Sequence, residues 1–228
     1  PRPARDHVPL TAAAAIVAAV TTLADVRAAA DRIAGHVHRT PVLTSRTLDA
    51  ELGAQVFLKP ENLQKVGAFK ARGACNAVFS LDDASAARGV ATHSSGNHGA
   101  ALAWAAGARG VACTVVMPET APQVKIAAVR GYGAEVVLCK AAERDATSAR
   151  LVQERGLTMV HPFENPFVIA GQGTAALELL ADVPDLDVVI VPVGGGGLCA
   201  GTAVVVRALR PSAWLLGAEP KAVDDAAR

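Results

Sequence analysis

Three short stretches hold residues whose types and spacing suit chemistry. In NLQKVGAFKARGAC (62–75), Lys70 stands between Phe69 and Ala71, with Gly67 and Gly73 on either side and Arg72 two residues on. An ammonium in surroundings of low polarity is destabilised, so its pKa falls and the neutral amine becomes a nucleophile. Taken alone, such a lysine is more often a solvated helix residue. In HSSGNHG (93–99), Ser94, Ser95 and Asn97 are good helix N-caps and Gly96 lets the backbone turn. Free N–H groups at a helix start attract an anion, although the same residues also make an ordinary cap. In VPVGGGGLCAG (191–201), four consecutive glycines, Gly194 to Gly197, precede a helical run. Gly loses the most freedom on ordering, so four in a row suggest a backbone nest around an anion, most plausibly a phosphate. A tight crossover is the alternative.

The glycine run lacks the G-K-[ST] ending of a Walker loop. It does fit a dinucleotide fingerprint: Gly195, Gly197 and Ala200 match G-x-G-x-x-A, and Glu219 stands where a ribose-binding acid belongs. A dinucleotide-binding oxidoreductase is therefore one reading. It leaves Lys70 and the 94–99 stretch without a role. A lysine poised to form a Schiff base, paired with a phosphate cradle, suits pyridoxal phosphate, whose aldehyde bonds the amine while its phosphate docks on the glycines.

The elements that must position these residues alternate. Strand-like runs fall at 54–59, 89–95, 112–118, 134–139, 158–161, 187–193 and 214–219, with helical runs near 70–80, 98–108, 121–130, 142–155, 168–181 and 198–209. Such alternation implies an α/β fold of parallel sheet covered by helices on both faces. DVVIVPV (187–193) is apolar without alternation, as expected of a central parallel strand. In doubly wound sheets ligands bind beyond the carboxyl ends of strands, where two of the three stretches lie.

Bulk properties narrow the classes. The net charge is +1 and no segment is a basic run, so nothing supports a nucleic-acid partner. Cys75, Cys113, Cys139 and Cys199 are far apart, which argues against a disulfide framework or zinc site and fits a reducing, cytoplasmic setting. TAAAAIVAAV (11–20) loosely resembles a secretory signal, but Asp6 and His7 interrupt its basic flank and its pattern continues through Leu23, Val26 and Ile33. It reads as an amphipathic helix. No run approaches the roughly 18 apolar residues of a membrane span.

The chain resembles the fold-type II pyridoxal-phosphate enzymes, in the serine racemase and serine/threonine dehydratase branch. The segments that carry the resemblance are KPENLQKVGAFKARGACNA (59–77), ATHSSGNHGAALAWAA (91–106), MPETAPQVK (117–125), GYGAEVVLC (131–139), VHPFENPFVIAGQGTAALE (160–178), VPVGGGGLCAG (191–201) and GAEP (217–220). The likeness begins near RTPVL (39–43) and runs to the last residue.

The resemblance implies a two-domain fold like that of the tryptophan synthase β chain. A large cofactor domain would comprise residues 1–88 and 166–228, a small domain residues 89–165, with the active site in the cleft between. Relatives continue beyond Arg228, so the large domain would be incomplete. Lys70 would bond the cofactor aldehyde and later act as base at the substrate Cα. Phe69 would lie beside the cofactor ring, Asn97 would hydrogen-bond its 3′-oxygen, and Gly194, Gly195, Gly196, Gly197 and Leu198 would hold the phosphate. Ser94, Ser95, Gly96 and His98 would surround the substrate carboxylate. For His98, a side-chain role and a contribution of its N–H alone both stay open. The implied reaction is β-elimination from, or racemisation of, serine, threonine or 3-hydroxyaspartate, with Ser95 as the second-face acid/base in racemisation. Glu219, the Val223 carbonyl and Asp225 match a divalent-cation site for Mg²⁺ or Ca²⁺, whose oxygen ligands suit such a hard ion. A homodimer is implied as well. Val66 and Ala68 depart from the pattern, standing where many relatives carry hydroxyl side chains.

Overall fold

The computed structural model describes residues 21–222. Helix α1 (Leu23–Ile33) opens on a capping box, in which Thr22 Oγ1 accepts from Asp25 N and the Asp25 carboxylate accepts from Thr22 N. The expected helix over 11–20 lies outside the described residues. Strand β1 (Leu43–Thr44), helix α2 (Arg46–Leu52) and strand β2 (Phe57–Leu58) follow. β1 and β2 pair antiparallel, an exception to the all-parallel expectation. Two 3₁₀ turns, Glu61–Leu63 and Lys65–Gly67, then lead into α3 (Lys70–Phe79).

Next come α4 (Asp83–Arg88), β3 (Val90–His93), α5 (Asn97–Arg109), β4 (Cys113–Pro118), α6 (Gln123–Gly131), β5 (Glu135–Cys139), α7 (Arg144–Arg155) and β6 (Thr158–Met159). Their four strands form one parallel sheet in the order β5-β4-β3-β6. Side chains of β4 alternate between two cores: Val115 and Met117 pack with Leu102 of α5 and Ile126 and Val129 of α6, whereas Val116 packs with Leu151 of α7. The sheet is thus covered on both faces, which is why the middle of β4, Val115 to Met117, is apolar without alternation. The chain winds from β3 to β5 in one direction and then returns to place β6 on the other side of β3. That reversal makes a topological switch point between β3 and β6.

The last elements are α8 (Pro166–Asp182), β7 (Val188–Pro192), α9 (Gly197–Leu209) and β8 (Trp214–Ala218). Asn165 caps α8 by accepting from Phe167 N and Val168 N, with Pro166 in the first turn. Helix α8 approaches its neighbours through Gly171-Gln172-Gly173. A Cβ on Gly171 would lie 2.7 Å from Arg72 O of α3, and one on Gly173 would lie 2.9 Å from Gly201 O of α9. Backbone contact this close admits no side chain. A second core joins Val26 and Ala29 of α1, Ala176 and Leu180 of α8, Val189 of β7, and Val205 and Val206 of α9.

β7 corrects one expectation. It pairs with β8 alone among the described residues, and it buries Val189 and Val191 while exposing Val188 and Ile190. It is therefore not a central strand in the described structure. Its run is apolar on both faces, but only one face is packed.

Candidate functional site

The switch point brings the loops after β3 and β6 side by side. His98, the second residue of α5, is 2% exposed, and its Nε2 lies 3.0 Å from Val160 O. A carbonyl only accepts, so this partner assigns the proton to Nε2. Nδ1 is then an acceptor, buried and without a hydrogen-bond partner among the described residues. Burial pushes the His98 pKa down to about 3, against the Val160 hydrogen bond and helped by nearby Lys70, so the ring is neutral. His161 stacks edge-on against His93 at 5.4 Å and against Phe163 at 4.6 Å. Burial, followed by nearby Arg144, lowers the His93 pKa.

The expected caps of α5 do not form. The cap position falls on Gly96, and no side chain caps the helix. The reason is local: the Ser94 hydroxyl accepts from Gly96 N instead, in a short turn before the helix. Ser95 and Asn97 remain exposed. The first-turn N–H groups of a 13-residue helix thus keep their anion-binding capacity beside two uncommitted polar side chains.

Lys70 is the first residue of α3, directly after an unusual backbone. Val66 has φ 56° and Gly67 φ 68°, two left-handed residues in succession. A β-branched residue there is strained, by about 1–3 kcal/mol. The Lys70 ammonium donates to Pro162 O at 2.7 Å and lies 5.3 Å from the Phe69 ring centre. Burial alone lowers its pKa to about 8, as its apolar neighbours suggest.

Behind Lys70, Arg72 is 0% exposed and anchors the helix. Its Nε donates to Glu61 at 2.7 Å, and its Nη1 to Glu178 at 2.7 Å and Thr174 at 3.2 Å. Lys59 donates to Glu178 at 2.6 Å. Burial opposes the Arg72 charge, but the hydrogen bonds and charges of Glu61 and Glu178 more than offset it and raise the pKa. Burial likewise opposes the Glu178 charge, and the pull of Arg72 prevails to lower its pKa.

The glycine run ends β7 and starts α9. Gly196, at φ 83°, is the cap residue, and no side chain caps this helix either. A Cβ on Gly194 or Gly196 would meet nothing within 4 Å. This open cradle of backbone at a helix N-terminus fits a phosphate. Leu198 lies in the first turn. Together with the half-buried amine of Lys70 and the orphaned Nδ1 of His98, the residues present suit pyridoxal phosphate and an amino-acid substrate.

Segment 160–163 joins the three stretches. It receives His98 at Val160 O and Lys70 at Pro162 O, and Phe163 lies against Gly195 and Gly197. Sequence reasoning gave it no role. Its HPFEN residues hold no nucleophile or glycine cluster, although its place after a strand is a usable signal. Among the expected metal ligands, Glu219 directly follows β8, while Val223 and Asp225 lie outside the described residues. Among the described residues no group of three His, Cys, Asp or Glu is placed to hold a metal.

Comparison with known proteins agrees with this geometry. The family described as "Pyridoxal-phosphate dependent enzyme" matches residues 33–228. The chain is 50% identical over 212 residues to a serine racemase of Dictyostelium discoideum, covering 92% of this chain and 65% of that protein. It is 51% identical over 211 residues to a beta-hydroxyaspartate dehydratase of Paracoccus denitrificans, covering 92% and 67%. The crystal structure of the serine racemase from Dictyostelium discoideum superposes with a TM-score of 0.88 at 50% identity, covering 90% of this chain and 67% of that one. The chain thus spans about two thirds of the length of these relatives.

Proposed function

The chain belongs to the pyridoxal-phosphate-dependent enzyme family, and from that premise we propose that it catalyses β-elimination from, or racemisation of, a small hydroxy-amino acid: serine, threonine or 3-hydroxyaspartate. The observation that carries this reading is the half-buried Lys70, its pKa lowered to about 8, near an uncapped helix start and a glycine cradle that converge on one segment. The relatives' names point to serine and 3-hydroxyaspartate, and threonine rests on the family resemblance.

Pyridoxal phosphate supplies, when bound, an aldehyde that accepts amines and a conjugated ring that delocalises negative charge left at the substrate Cα. The protein does the rest. The N–H groups of Gly194, Gly195, Gly196, Gly197 and Leu198 would hold the cofactor's phosphate, Phe69 would pack beside the cofactor ring, and Asn97 would hydrogen-bond the ring's 3′-oxygen. Ser94, Ser95, Gly96 and the N–H of His98 orient the substrate carboxylate at the start of α5. Lys70 takes the Cα proton. With a pKa of about 8, a useful fraction of its amine is neutral near physiological pH. Ser95, exposed beside the cleft, returns a proton on the opposite face in racemisation. If instead the β-hydroxyl takes up a proton and leaves as water, the enamine that is released tautomerises and is hydrolysed by water to a 2-oxo acid and ammonia.

Two domains are part of the proposal, residues 1–88 with 166–228 and residues 89–165. In support, the four-stranded sheet lies wholly within 90–159, and α1, α3, α8, α9 and the β7–β8 pair come from either side of it. The homodimer rests on resemblance. The cytoplasmic setting is supported by the four free cysteines, three of them buried. No helix among the described residues is long and apolar enough to cross a membrane. The cation site at Glu219, Val223 and Asp225 rests on sequence. Millimolar Mg²⁺ should raise the melting temperature relative to chelator, and an unchanged melting temperature would remove the site.

Ser95→Ala tests the reaction. It should suppress serine racemisation at least tenfold more than elimination from L-serine, because Lys70 alone serves one face. Equal loss of both would reduce Ser95 to a carboxylate ligand. Absence of any turnover by the parent protein, with cofactor bound, would leave a cofactor-binding chain without catalysis.

A further inference from the structure

The four glycines of the phosphate loop are not equivalent. A Cβ on Gly195 would lie 2.2 Å from Phe163 Cδ1 and 2.4 Å from Cγ, and one on Gly197 would lie 3.2 Å from both Cα and Cβ of Phe163. Gly195 therefore admits no side chain unless the Phe163 ring moves, and Gly197 is held in tight contact with the same residue. Position 196 needs glycine for φ 83°. Gly194 meets neither demand, since its Cβ would find open space and its φ is not positive. Phe163 thus touches the loop on both sides of the one left-handed residue that turns the chain into α9. The ring is itself held, edge-on to His161 at 4.6 Å and 83°, and His161 in turn is edge-on to His93 at 5.4 Å.

We propose that Phe163 is a positioning residue for the phosphate loop: by bracing Gly195 and Gly197 it fixes the direction in which the loop's N–H groups point. This rests on the reading that residues 194–198 hold a phosphate. A nest grips an anion only when successive N–H groups converge. Four glycines in series have the greatest freedom a chain can have. Without its brace the loop must be ordered at the expense of binding, and re-fixing about one residue's backbone corresponds to roughly a tenfold loss of affinity.

The test compares the parent protein with Phe163→Ala and with Phe163→Leu, which keeps much of the bulk and guards against simple misfolding. Three ligands are titrated: inorganic phosphate, followed by the amide resonances of Gly194 to Leu198; pyridoxal phosphate; and pyridoxal, which has the same ring and aldehyde but no phosphate. Phe163→Ala should weaken phosphate and pyridoxal phosphate about tenfold and leave pyridoxal within about twofold, with Phe163→Leu between. Equal weakening of pyridoxal and pyridoxal phosphate would overturn the proposal, making Phe163 a general support of the cleft. Unchanged phosphate affinity would also overturn it. So would a parent loop that ignores inorganic phosphate while Lys70 still reacts with the cofactor, an outcome that leaves the family reading standing. A loop that binds phosphate through Phe163 in a protein whose Lys70 never reacts would support the proposal and sink the proposed function instead.

Discussion

Helices α5 and α9 start the same way, and the proposed function gives them different work. Each has 13 residues, follows a parallel strand, and takes a glycine as its cap residue with no side-chain cap. Around α5 the loop is rich in side chains, with Ser94, Ser95, Asn97 and the buried His98 within five residues. Around α9 the loop is backbone alone. Polar side chains recognise a substrate whose groups must be told apart, whereas a bare nest suits a phosphate that every turnover shares. The strands behind them differ too. β3 is paired on both sides and buried, while β7 is paired on one side among the described residues and exposes Ile190. The side-chain-rich loop sits on the better-supported strand, whereas the glycine loop has Phe163 against it and the helix it opens rests on α8.

Given that difference, removing an anchor should disturb the α9 loop more than the α5 loop. Arg72→Ala should have the largest effect. It leaves Glu61 without its ion-pair partner and Glu178 with Lys59 alone, in a site only slightly open to water, and breaking a buried ion pair in this way costs about 3–5 kcal/mol. Urea unfolding measures the loss. Hydrogen exchange should accelerate at 194–198 more than at 94–98, because the Arg72 network ties α3 to α8, and α8 packs on α9 through Gly173 and Gly201. Equal acceleration in both loops would dissolve the distinction.

A smaller effect separates the loops by one kind of substitution. Gly201→Ala places a Cβ 2.5 Å from Ile169 O and 2.6 Å from Gly173 N. Backbone atoms cannot step aside, so a loss of about 1–3 kcal/mol is expected. Gly96→Ala meets open space and should change stability by less than about 0.5 kcal/mol. Similar melting temperatures for the two variants would contradict the packing described for α8 and α9.

Lys70 belongs to neither loop, and its own contribution should appear as a pH signature. Its folded pKa of about 8 lies below the ordinary 10.5. Between those values the unfolded chain binds the extra proton, so stability rises with pH from about 8 to 10.5, and below about 8 the full penalty is present. In the cofactor-free protein, Lys70→Met should therefore raise stability at pH 7 by about 1–3 kcal/mol, with the gain shrinking towards pH 10. A gain independent of pH would mean that packing, not charge, is responsible.

The alternation of elements was legible because the apolar runs keep a strand or helix period. Lys70 and the glycines were legible because their residue types are unusual for their surroundings. Arg72 was not, since its partners Thr174 and Glu178 are more than 100 residues away and a charged residue carries no local mark of burial. Phe163 was hidden for the same reason: it reads as an ordinary aromatic until the fold sets it against Gly195. The caps of α5 were misplaced because Ser94 commits its hydroxyl to Gly96 N, before the helix begins. The mismatch at β7 is of another kind. Its residues are apolar on both faces as a central strand requires, while the described structure covers only one.

The central claim is that Lys70 is the amine that bonds pyridoxal phosphate. Its most direct test is the absorption spectrum of the purified protein with added cofactor, before and after borohydride, followed by peptide mapping. The account predicts a visible band that borohydride abolishes and a stable cofactor adduct on Lys70, with neither in Lys70→Met. A band whose adduct maps to Lys59 or Lys65, or no band at saturating cofactor, would contradict it.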